Sequence, residues 1–586
     1  MPPPILIIVE SPNKTKKIEE MFPGRFKAMA TYGHICDLPS NPQDGGIGID
    51  RNSMEGQYAL TQDSKRYIDG KRTIAKLQKY LKDNPGTTVY LGTDDDREGE
   101  SIAAFTQQYL KLKNPKRMLF NAITKEKIER AFQTAGHIDW NAVASRESRR
   151  LIDRIIGYTV SPVLREIIKE KGTAAGRVQT AVEALVIERE RKIRAHKALP
   201  YYTVHFDFGG WQATWQVPQE QNKRTGPKAN SEYDIDDTTP RCYDEAAARE
   251  IAGRSTLVVE LCVESIESRL PPSPLYTISM IQAANRIFGW DAEKTMQIAQ
   301  KLFEGDNSGH GHITYHRTDS PNIDPIAAAE IRTWLQEKDL PIPETPNTWA
   351  SKNKQAQEGH EAIRPSYLEI EEAGATDEQR ALYKLIRERA IYSQLAPAQY
   401  STKRIVLTDT IHRTQKFTAT ARTLADPGWL ATPAAKTPAL KEDDENADET
   451  LNTAILPKLT PGALINIRGA EVKSHTTKAP PRYTMNTLTS KLEKLSIGRP
   501  ATIATLLKNV QTKGTITLRK DKKLEATPFG EKCYDVLYPR FLFANIGYTA
   551  ELEQALDKIA SGTLDSKALA RAVWDRLDAD CEALLR

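Results

Sequence analysis

Three groups of residues in this chain have types and spacings suited to chemistry. The first is the stretch 311–320, GHITYHRTDS, in which Tyr315 stands two residues before Arg317. A free phenol titrates near pH ~10 and is a weak nucleophile at neutral pH. A guanidinium two residues on shares its face of an extended segment, where it can stabilise phenolate or phosphate. Ile313 and Thr314 suit a short strand, and Thr318 to Asn322 read as a turn. This predicts a tyrosine at a strand end, pointing out of the fold. The plain alternative is a surface tyrosine beside a solvated arginine.

The second group is the run TDDDREGE at 93–100, where Asp94, Asp96 and Glu98 alternate. Crowded carboxylates repel one another unless a cation neutralises them. A hard divalent ion with oxygen ligands, Mg2+ above all, is the natural partner. Glu10 directly follows the apolar run PILIIV and is expected as a fourth member, binding metal or moving a proton. Glu100 is assigned to the helix that follows, where an acid in the first turn is ordinary. An acidic helix cap on the surface is the alternative for the whole run. The third group is basic: residues 141–200 hold 13 Lys/Arg against 7 Asp/Glu. Within it, Arg149, Arg150 and Arg154 fall on a helical pattern, and Arg189, Arg191 and Arg194 read as a solvated helix face.

The elements that must position these groups follow from periodicity. PILIIV and the TVYLG of 88–92 are short continuous apolar runs, as expected of strands buried on both faces. Each is followed by a polar loop and a helix, the first capped by Ser11 with Pro12 in its first turn. The alternation argues an α/β domain with a parallel sheet, whose sites lie beyond the carboxyl ends of the strands. Glu10 and the Asp94–Asp96–Glu98 run both lie at that edge. Residues 140–195 read as helices and 202–217 as strands; strands return at 402–407 and 463–472. A β-rich unit is therefore interrupted by a block at about 275–398. In that block two helices (278–288 and 293–303), a glycine-rich turn and the Tyr315 strand make a winged-helix-like order. The stretch from 484 onward reads as helical. Polar inserts at 219–239 and 434–450 read as long loops. The expected units are 1–138, 139–198 with 476–586, 199–275 with 399–475, and 276–398.

Composition narrows the class. The chain has 586 residues, 27% charged, with a net charge of +5, too small by itself to identify a polyanionic partner. Its five cysteines, at 36, 242, 262, 533 and 581, form no CxxC pair, which argues against a zinc ribbon or a disulfide framework. No apolar run is long enough for a membrane span, and the start MPPPILIIVESP lacks a basic n-region. A soluble cytoplasmic protein is expected. There is no GxxxxGK[ST] and no GxGxxG, so nothing in the chain looks built for ATP. An enzyme that broke and resealed DNA without ATP would have to store the bond energy covalently, and Tyr315 offers such a store.

Taken in order, VESPNKTK, the GHICDLP of 33–39, TDDDREGE, the FNAIT of 120–124, AGRVQT, ITYHRTDS, EGHEAIRPS and IGRPATIATLL run the length of the chain. Together they make it resemble the type IA DNA topoisomerases, on the bacterial topoisomerase I side, without the zinc-ribbon tail common there. The resemblance implies a Toprim domain, a helical domain, a β-rich arch and a winged-helix-like tyrosine domain that enclose a central hole. It implies ATP-independent relaxation of negatively supercoiled DNA, by cutting one strand through a 5′-phosphotyrosine on Tyr315, with Mg2+ and without zinc. Arg317 would stabilise charge at the phosphate; Glu10 and Lys14 would contact it or move protons; His360 would assist nearby. Asp94, Asp96 and Glu98, with Glu10, would hold the metal. His34, Arg149, Arg150, Asp153, Arg154, Ala174, Ala175, Gly176, Arg177, Val178 and Gln179 would line the single-strand groove, joined by Arg364, Arg499, Thr502 and Lys513. The small residues would let the DNA backbone approach closely, and the arginines would contact phosphates. A monomer is expected.

Three positions depart from the family pattern. His316 stands where an apolar residue is usual between Tyr and Arg, Asp95 replaces a commonly apolar residue inside DxDxE, and AAGR replaces SAGR. None removes a chemical group the reaction needs. The rival readings are a decatenase of the topoisomerase III kind, a Toprim nuclease or primase, and a non-enzymatic DNA-binding scaffold. VESPNK and IGRPAT favour the first reading over the decatenase. Tyr315 would be unnecessary in a Toprim nuclease or primase, and Tyr315, Arg317 and an intact DxDxE argue against the scaffold.

Overall fold

The run ILIIV forms β1 (Ile5–Val9), and its last four residues are buried. A computed structural model of the chain describes residues 5–39, 46–63, 68–170, 172–218, 240–306, 309–350, 361–410, 413–440, 455–498 and 503–586. The strand is followed by α1 (Pro12–Met21), capped as the sequence predicts: the Asn13 amide donates to Ser11 Oγ at 3.2 Å. Next come β2 (Phe26–Ala30), α2 (Gly70–Asp83), β3 (Thr88–Leu91), α3 (Arg97–Leu110), β4 (Lys116–Arg117) and α4 (Lys125–Gln133). The four strands form a parallel sheet in the order β4-β3-β1-β2. β1 is central, and its side chains alternate between two cores. Leu6 and Ile8 pack with Ile74, Leu77 and Phe105; Ile7 and Val9 pack with Phe22, Phe120, Phe303 and Tyr315. The second core thus joins the sheet directly to the segment that carries the tyrosine.

Helices α5 (Trp140–Ile168) and α6 (Arg177–Ala195) follow, then β5 (Pro200–Asp207), β6 (Gln212–Gln216), α7 (Glu245–Ala252) and β7 (Thr256–Arg269). The tyrosine block contributes α8 (Thr277–Phe288), α9 (Ala292–Glu304), α10 (Pro325–Glu337) and α11 (Asp377–Tyr392). After it come β8 (Ala398–Asp409), β9 (Lys416–Asp426), β10 (Leu464–Asn466) and β11 (Gly469–Thr476). β5 to β11 build one seven-stranded antiparallel sheet, ordered β10-β7-β8-β9-β6-β5-β11. The block is inserted between paired strands: β7 ends at Arg269, directly opposite Ala398 at the start of β8. Two strands of this sheet went unread in the sequence. The second half of β7 is exposed on both faces, so it lacks the alternation that marks a half-buried strand. In β9 the inward positions are Phe417, Ala419 and Ala421, and alanine is a weak strand signal. The insert at 219–239 lies outside the described residues. The second insert begins with short 3-10 turns, and its residues 441–450 also lie outside.

The last part is helical, with one hairpin inside it: α12 (Met485–Lys494), α13 (Ile503–Thr512), β12 (Ile516–Leu518), β13 (Leu524–Ala526), α14 (Pro528–Leu537), α15 (Ile546–Ala560) and α16 (Ser566–Leu585). α15 and α16 lie on α5 through Ile152, Ile156, Leu556 and Leu577. α12 and α13 lie on α6 through Val182, Leu185, Leu492 and Leu506. Arg191 and Arg194, read as a solvated face, instead pair with Asp535 and Glu531 of α14. Among the described residues no helix is long and apolar enough to cross a membrane.

One buried ion pair shapes the loop that carries the acidic run. Arg117 is 1% exposed. Its Nε donates to Glu100 Oε1 at 2.6 Å, and its other nitrogens donate to the carbonyls of Leu91, Thr93, Asp94 and Met118. Glu100 also accepts from the Asp139 amide at 3.0 Å. Glu100 is therefore not an ordinary helix-start acid: it anchors the guanidinium that organises the turn after β3. The turn also requires Gly99, since a Cβ there would lie 2.0 Å from the Asp94 carbonyl oxygen. Removing one partner of a buried pair leaves an uncompensated charge, costing ~3–5 kcal/mol. Arg117→Ala is expected to lower the first unfolding transition in urea by an amount of that order. A midpoint equal to that of the unmutated chain would count against this role.

Candidate active site

β1 and β3 end side by side, and the loops beyond them carry Glu10 and Asp94 to one place. The Asp94 amide donates to Glu10 Oε1 at 2.9 Å. Lys14 rises from the first turn of α1, fully buried, and forms an ion pair with Asp94. Its ammonium also lies 5.2 Å from the ring centre of Phe303 and 5.9 Å from that of Phe120, a favourable setting for a desolvated cation. Burial, then repulsion from Asp94, pushes the Glu10 carboxyl up to about 8. Burial opposes ionisation of Asp94, yet Lys14 holds it below the usual carboxylate range.

The segment carrying Tyr315 is not the strand the sequence suggests. Only Ile313 makes a β-bridge, to Pro365. Its backbone bonds go elsewhere: the Thr314 amide donates to the Arg364 carbonyl at 2.9 Å, and those of Gly311 and Tyr315 donate to the carbonyls of Ile123 and Asn121 at 2.8 and 2.7 Å. Tyr315 therefore does not point out of the fold. It is 3% exposed, and its hydroxyl donates to Asp96 Oδ2 at 2.5 Å while accepting from Arg317 Nη1 at 3.5 Å. Asp96 serves twice, because its Oδ1 caps α3 through the Gly99 amide at 2.8 Å. Burial, then the charges of Asp96 and Asp94, raise the phenol well above its ordinary value, with Arg317 acting the other way. In this arrangement the group is a neutral phenol.

Glu98 faces a different set of partners. His34 Nε2 lies 2.7 Å and Arg146 Nε 3.0 Å from Glu98 Oε2. Burial works against its ionisation, but these two groups bring it down to about 2. A cavity of about 560 Å3 opens beside the centre, lined by Glu10, Lys14, Asp94 and Arg317 on one side, with Gln297 of α9 and Thr505 of α13 among those facing them. The donors suit a hard divalent cation: all are carboxylates, the ligand type such an ion prefers. They are not drawn together as ligands, for among the described residues no three His, Cys, Asp or Glu side chains converge. Lys14, the tyrosine and the His34–Arg146 pair each hold one carboxylate instead.

The residues assigned to the strand groove are gathered along α5 and α6, with their charges satisfied internally. Arg177 is buried and pairs with Asp153 at 3.0 Å and Glu553 at 3.2 Å. Arg149 approaches the same two acids. Arg150 holds both oxygens of Asp37, and Arg154 donates to the carbonyls of Ile47 and Pro39 while stacking on Tyr158. The Ala175 amide donates to Ser161 Oγ, Gly176 caps α6 without a side chain, and Val178 packs against the α6–α13 core. Ala174 lies in the same turn. Gln179 donates to Glu183 and accepts from Lys513, which ties α6 to the turn after α13. Arg364 is buried against Glu361, which in turn accepts from Asn121, so it braces the tyrosine segment from behind. His360, Arg499 and Thr502 lie outside the described residues. The sequence reading missed Arg146, which it left inside a basic stretch, and Arg117, whose signal is only an arginine in a short strand.

His316 is the departure from the family pattern with a structural consequence. It is fully buried, and neither ring nitrogen has a hydrogen-bond partner among the described residues. Burial, then the nearby Arg317, lowers it to about 3, so the ring is neutral. The unfolded chain takes up this proton near 6.5. Folding is therefore favoured fully above pH 6.5 and loses that stabilisation as pH falls toward 3. His316→Met is expected to flatten this acid limb, read from urea midpoints between pH 7 and 5. Parallel midpoint curves for the two chains would assign the acid sensitivity elsewhere.

The comparisons with known proteins agree with this geometry. Residues 5–123 match a family model described as the Toprim domain, and residues 137–571 match one described as DNA topoisomerase. The chain is 37% identical to the "DNA topoisomerase I, plasmid" of Xylella fastidiosa (strain 9a5c), over 99% of this chain and 84% of that protein. Its fold is similar to that of full-length topoisomerase I from Thermotoga maritima, with a TM-score of 0.73 and 29% identity, covering 98% of this chain and 90% of that one. Sheet, acidic loop and tyrosine segment thus stand in a framework matched nearly end to end, and the chain belongs to the type IA DNA topoisomerases, isomerases that relax DNA by single-strand passage.

Proposed function

We propose that Tyr315 is the nucleophile and that it cuts one strand of negatively supercoiled DNA at the edge of the Toprim sheet. The Tyr315 oxygen attacks phosphorus, the bond to the 3′-oxygen breaks, and a 5′-phosphotyrosine forms. The phenol proton leaves toward Asp96, and a proton from Glu10 goes to the departing 3′-oxygen. Glu10 suits that task because its carboxyl holds its proton near neutral pH. Arg317 and Lys14 meet the charge that develops on the phosphate. Religation reverses these steps, so no ATP is needed. The observation that carries the reading is the 2.5 Å contact between the Tyr315 hydroxyl and Asp96, with Arg317 alongside.

Asp94 and Asp96, with Glu10 beside them and Glu98 once it leaves His34 and Arg146, would hold Mg2+. When bound, that ion supplies positive charge to the phosphate and aligns the 3′-hydroxyl for religation. Lys14 pairs with Asp94 and borders the same cavity, so its ammonium would be at hand for the phosphate. The strand would lie along α5 and α6, where phosphates exchange with Asp153, Glu553 and Asp37 for the guanidinium groups of Arg149, Arg150 and Arg177. We take the units to be 1–138, 139–198 with 476–586, 199–275 with 399–475, and 276–398, acting as a monomer.

The test of the nucleophile is a search for a denaturation-resistant adduct with labelled single-stranded DNA. Tyr315→Phe is expected to abolish the adduct while keeping strand affinity within a few-fold, because affinity rests mostly on phosphate contacts. Adduct formation near the unmutated rate would move the chemistry to another residue. Asp94→Ala combined with Asp96→Ala is expected to lose relaxation and its response to added Mg2+, with cutting less affected than religation. Normal relaxation by that double variant in excess chelator would remove the metal site from these carboxylates.

A further inference from the structure

The hairpin of β12 and β13 plays no part in the chemistry above. Its connecting turn reads Arg519, Lys520, Asp521, Lys522, Lys523, four cations in five residues. Asp521 lies within 3.4 Å of Arg519 and 3.9 Å of Lys523, and Glu525 takes Arg519 at 3.0 Å. Lys520 and Lys522 are exposed and have no ion pair among the described residues. The base of the hairpin is tied down: Glu525 also pairs with Arg482, which pairs with Glu190 of α6, and the Leu524 amide donates to the Tyr483 carbonyl. The tip is a fixed projection of positive charge.

The tip conformation sharpens the point. Lys522 has φ of +60°, the left-handed region where glycine or asparagine is favoured and other residues are strained. The backbone turn thus places a lysine at the apex. The helix before the hairpin is not available for DNA in the same way. α13 is covered by α6 and α9 through Ile503, Leu506 and Leu507, and its Lys508 is paired with Glu293. In this helix–helix–hairpin unit α12 offers Lys491 and Lys494 in its last turn, whereas the hairpin tip gathers four cations within five residues.

We propose that this tip grips the phosphate backbone of duplex DNA beside the strand being cut. Residues 516–526 contain no aromatic side chain, so the tip has no platform for stacking unpaired bases. Its chemistry is phosphate binding, and paired DNA offers the densest phosphate array, one charge per ~1.7 Å of axis. Placement agrees. Lys513, tied to Gln179 at the strand groove, is seven residues from Lys520, a reach of at most about 25 Å along the chain. That is less than one duplex turn of ~34 Å. A strand leaving the groove past Lys513 and rejoining its complement would come within reach of the tip. The inference rests on the proposed strand path, and on the Tyr315 assignment only through that path.

The test compares full-length chains on two probes by fluorescence anisotropy across a salt series. One probe is a single-stranded oligonucleotide; the other is the same strand in a duplex with a central unpaired bubble. Lys520→Ala combined with Lys522→Ala is expected to weaken bubble-duplex binding ~3- to 10-fold and to reduce its salt slope by about two, one per lysine. Single-strand affinity and adduct yield with the single strand should stay unchanged. Equal weakening on both probes would make the tip part of the strand groove, and unchanged bubble binding would leave it without a DNA role; either result overturns the proposal. Lys522→Gly separates binding from folding, because it relieves the backbone while removing one charge. It is expected to keep or raise the thermal midpoint and still weaken bubble binding, and full binding by this variant would also overturn the proposal. Absence of an adduct in the unmutated chain would instead refute the nucleophile and leave the duplex comparison readable.

Discussion

Four carboxylates lie along one edge of a parallel sheet without converging, and the structure is arranged around the need to neutralise each of them. A buried anion without a partner is among the most destabilising groups a fold can contain. Each of the four is handled differently. Asp94 takes a buried lysine. Asp96 takes a helix start and a phenol. Glu98 takes an imidazole and a guanidinium. Glu10 keeps its proton. These partners come from α1, from the tyrosine block, from the loop at His34 and from α5. The acidic edge is therefore what brings distant parts of the chain to one point. The same exchange repeats along α5 and α6, where Asp153, Glu553 and Asp37 occupy guanidinium groups suited to phosphate. Asp94, Glu98, Asp37, Asp153 and Glu553 thus all have cationic partners within the chain.

The apolar packing supports this arrangement and fixes its geometry. Ile7 and Val9 share a core with Phe303 and Tyr315, so the strand that delivers Glu10 also seats the tyrosine. Phe303 borders both Lys14 and the tyrosine ring, which keeps water from the Lys14–Asp94 pair. His316 fits the same core less well: it fills space where an apolar side chain would, but brings two ring nitrogens that find no partner.

Much of this was legible in the sequence, for identifiable reasons. PILIIV and TVYL announce buried strands through continuous apolar runs; Glu10 follows the first directly and Asp94 stands three residues after the second. Ser11 and Pro12 announce a helix start, and the alternation at 202–217 announces two strands. The spacing of Tyr315 and Arg317 is local, so their pairing could be anticipated. Features that depend on partners far along the chain could not. Nothing near Glu100 indicates that Arg117 lies against it, and nothing near Tyr315 indicates that its amide bonds to Asn121 in place of a neighbouring strand. The long β7 was hidden because a ribbon exposed on both faces has no hydrophobic rhythm. The basic hairpin was hidden in a stretch dominated by helical pattern.

The junction between β7 and β8 has a mechanical consequence. The chain leaves the seven-stranded sheet at Arg269, builds the whole tyrosine block, and returns at Ala398, the residue paired with Arg269. Both crossings occupy one rung of the ladder. The block is also held by the chain that leaves β9: Trp429 Nε1 donates to the Arg269 carbonyl at 3.2 Å, the Trp429 amide to the Ala396 carbonyl at 2.8 Å, and Arg389 of α11 to the Ala439 carbonyl at 2.5 Å, so the rung is clamped from a second side. The force on that rung is shared by two paired strands rather than carried by one loop, and β9 backs β8 along most of its length. The tyrosine is kept at the acidic edge by a few hydrogen bonds and one apolar cluster there, and the block is moored again to α12 and α13 through Gln282–Ser490 and Glu293–Lys508, so turning it away requires all three sets of contacts to part.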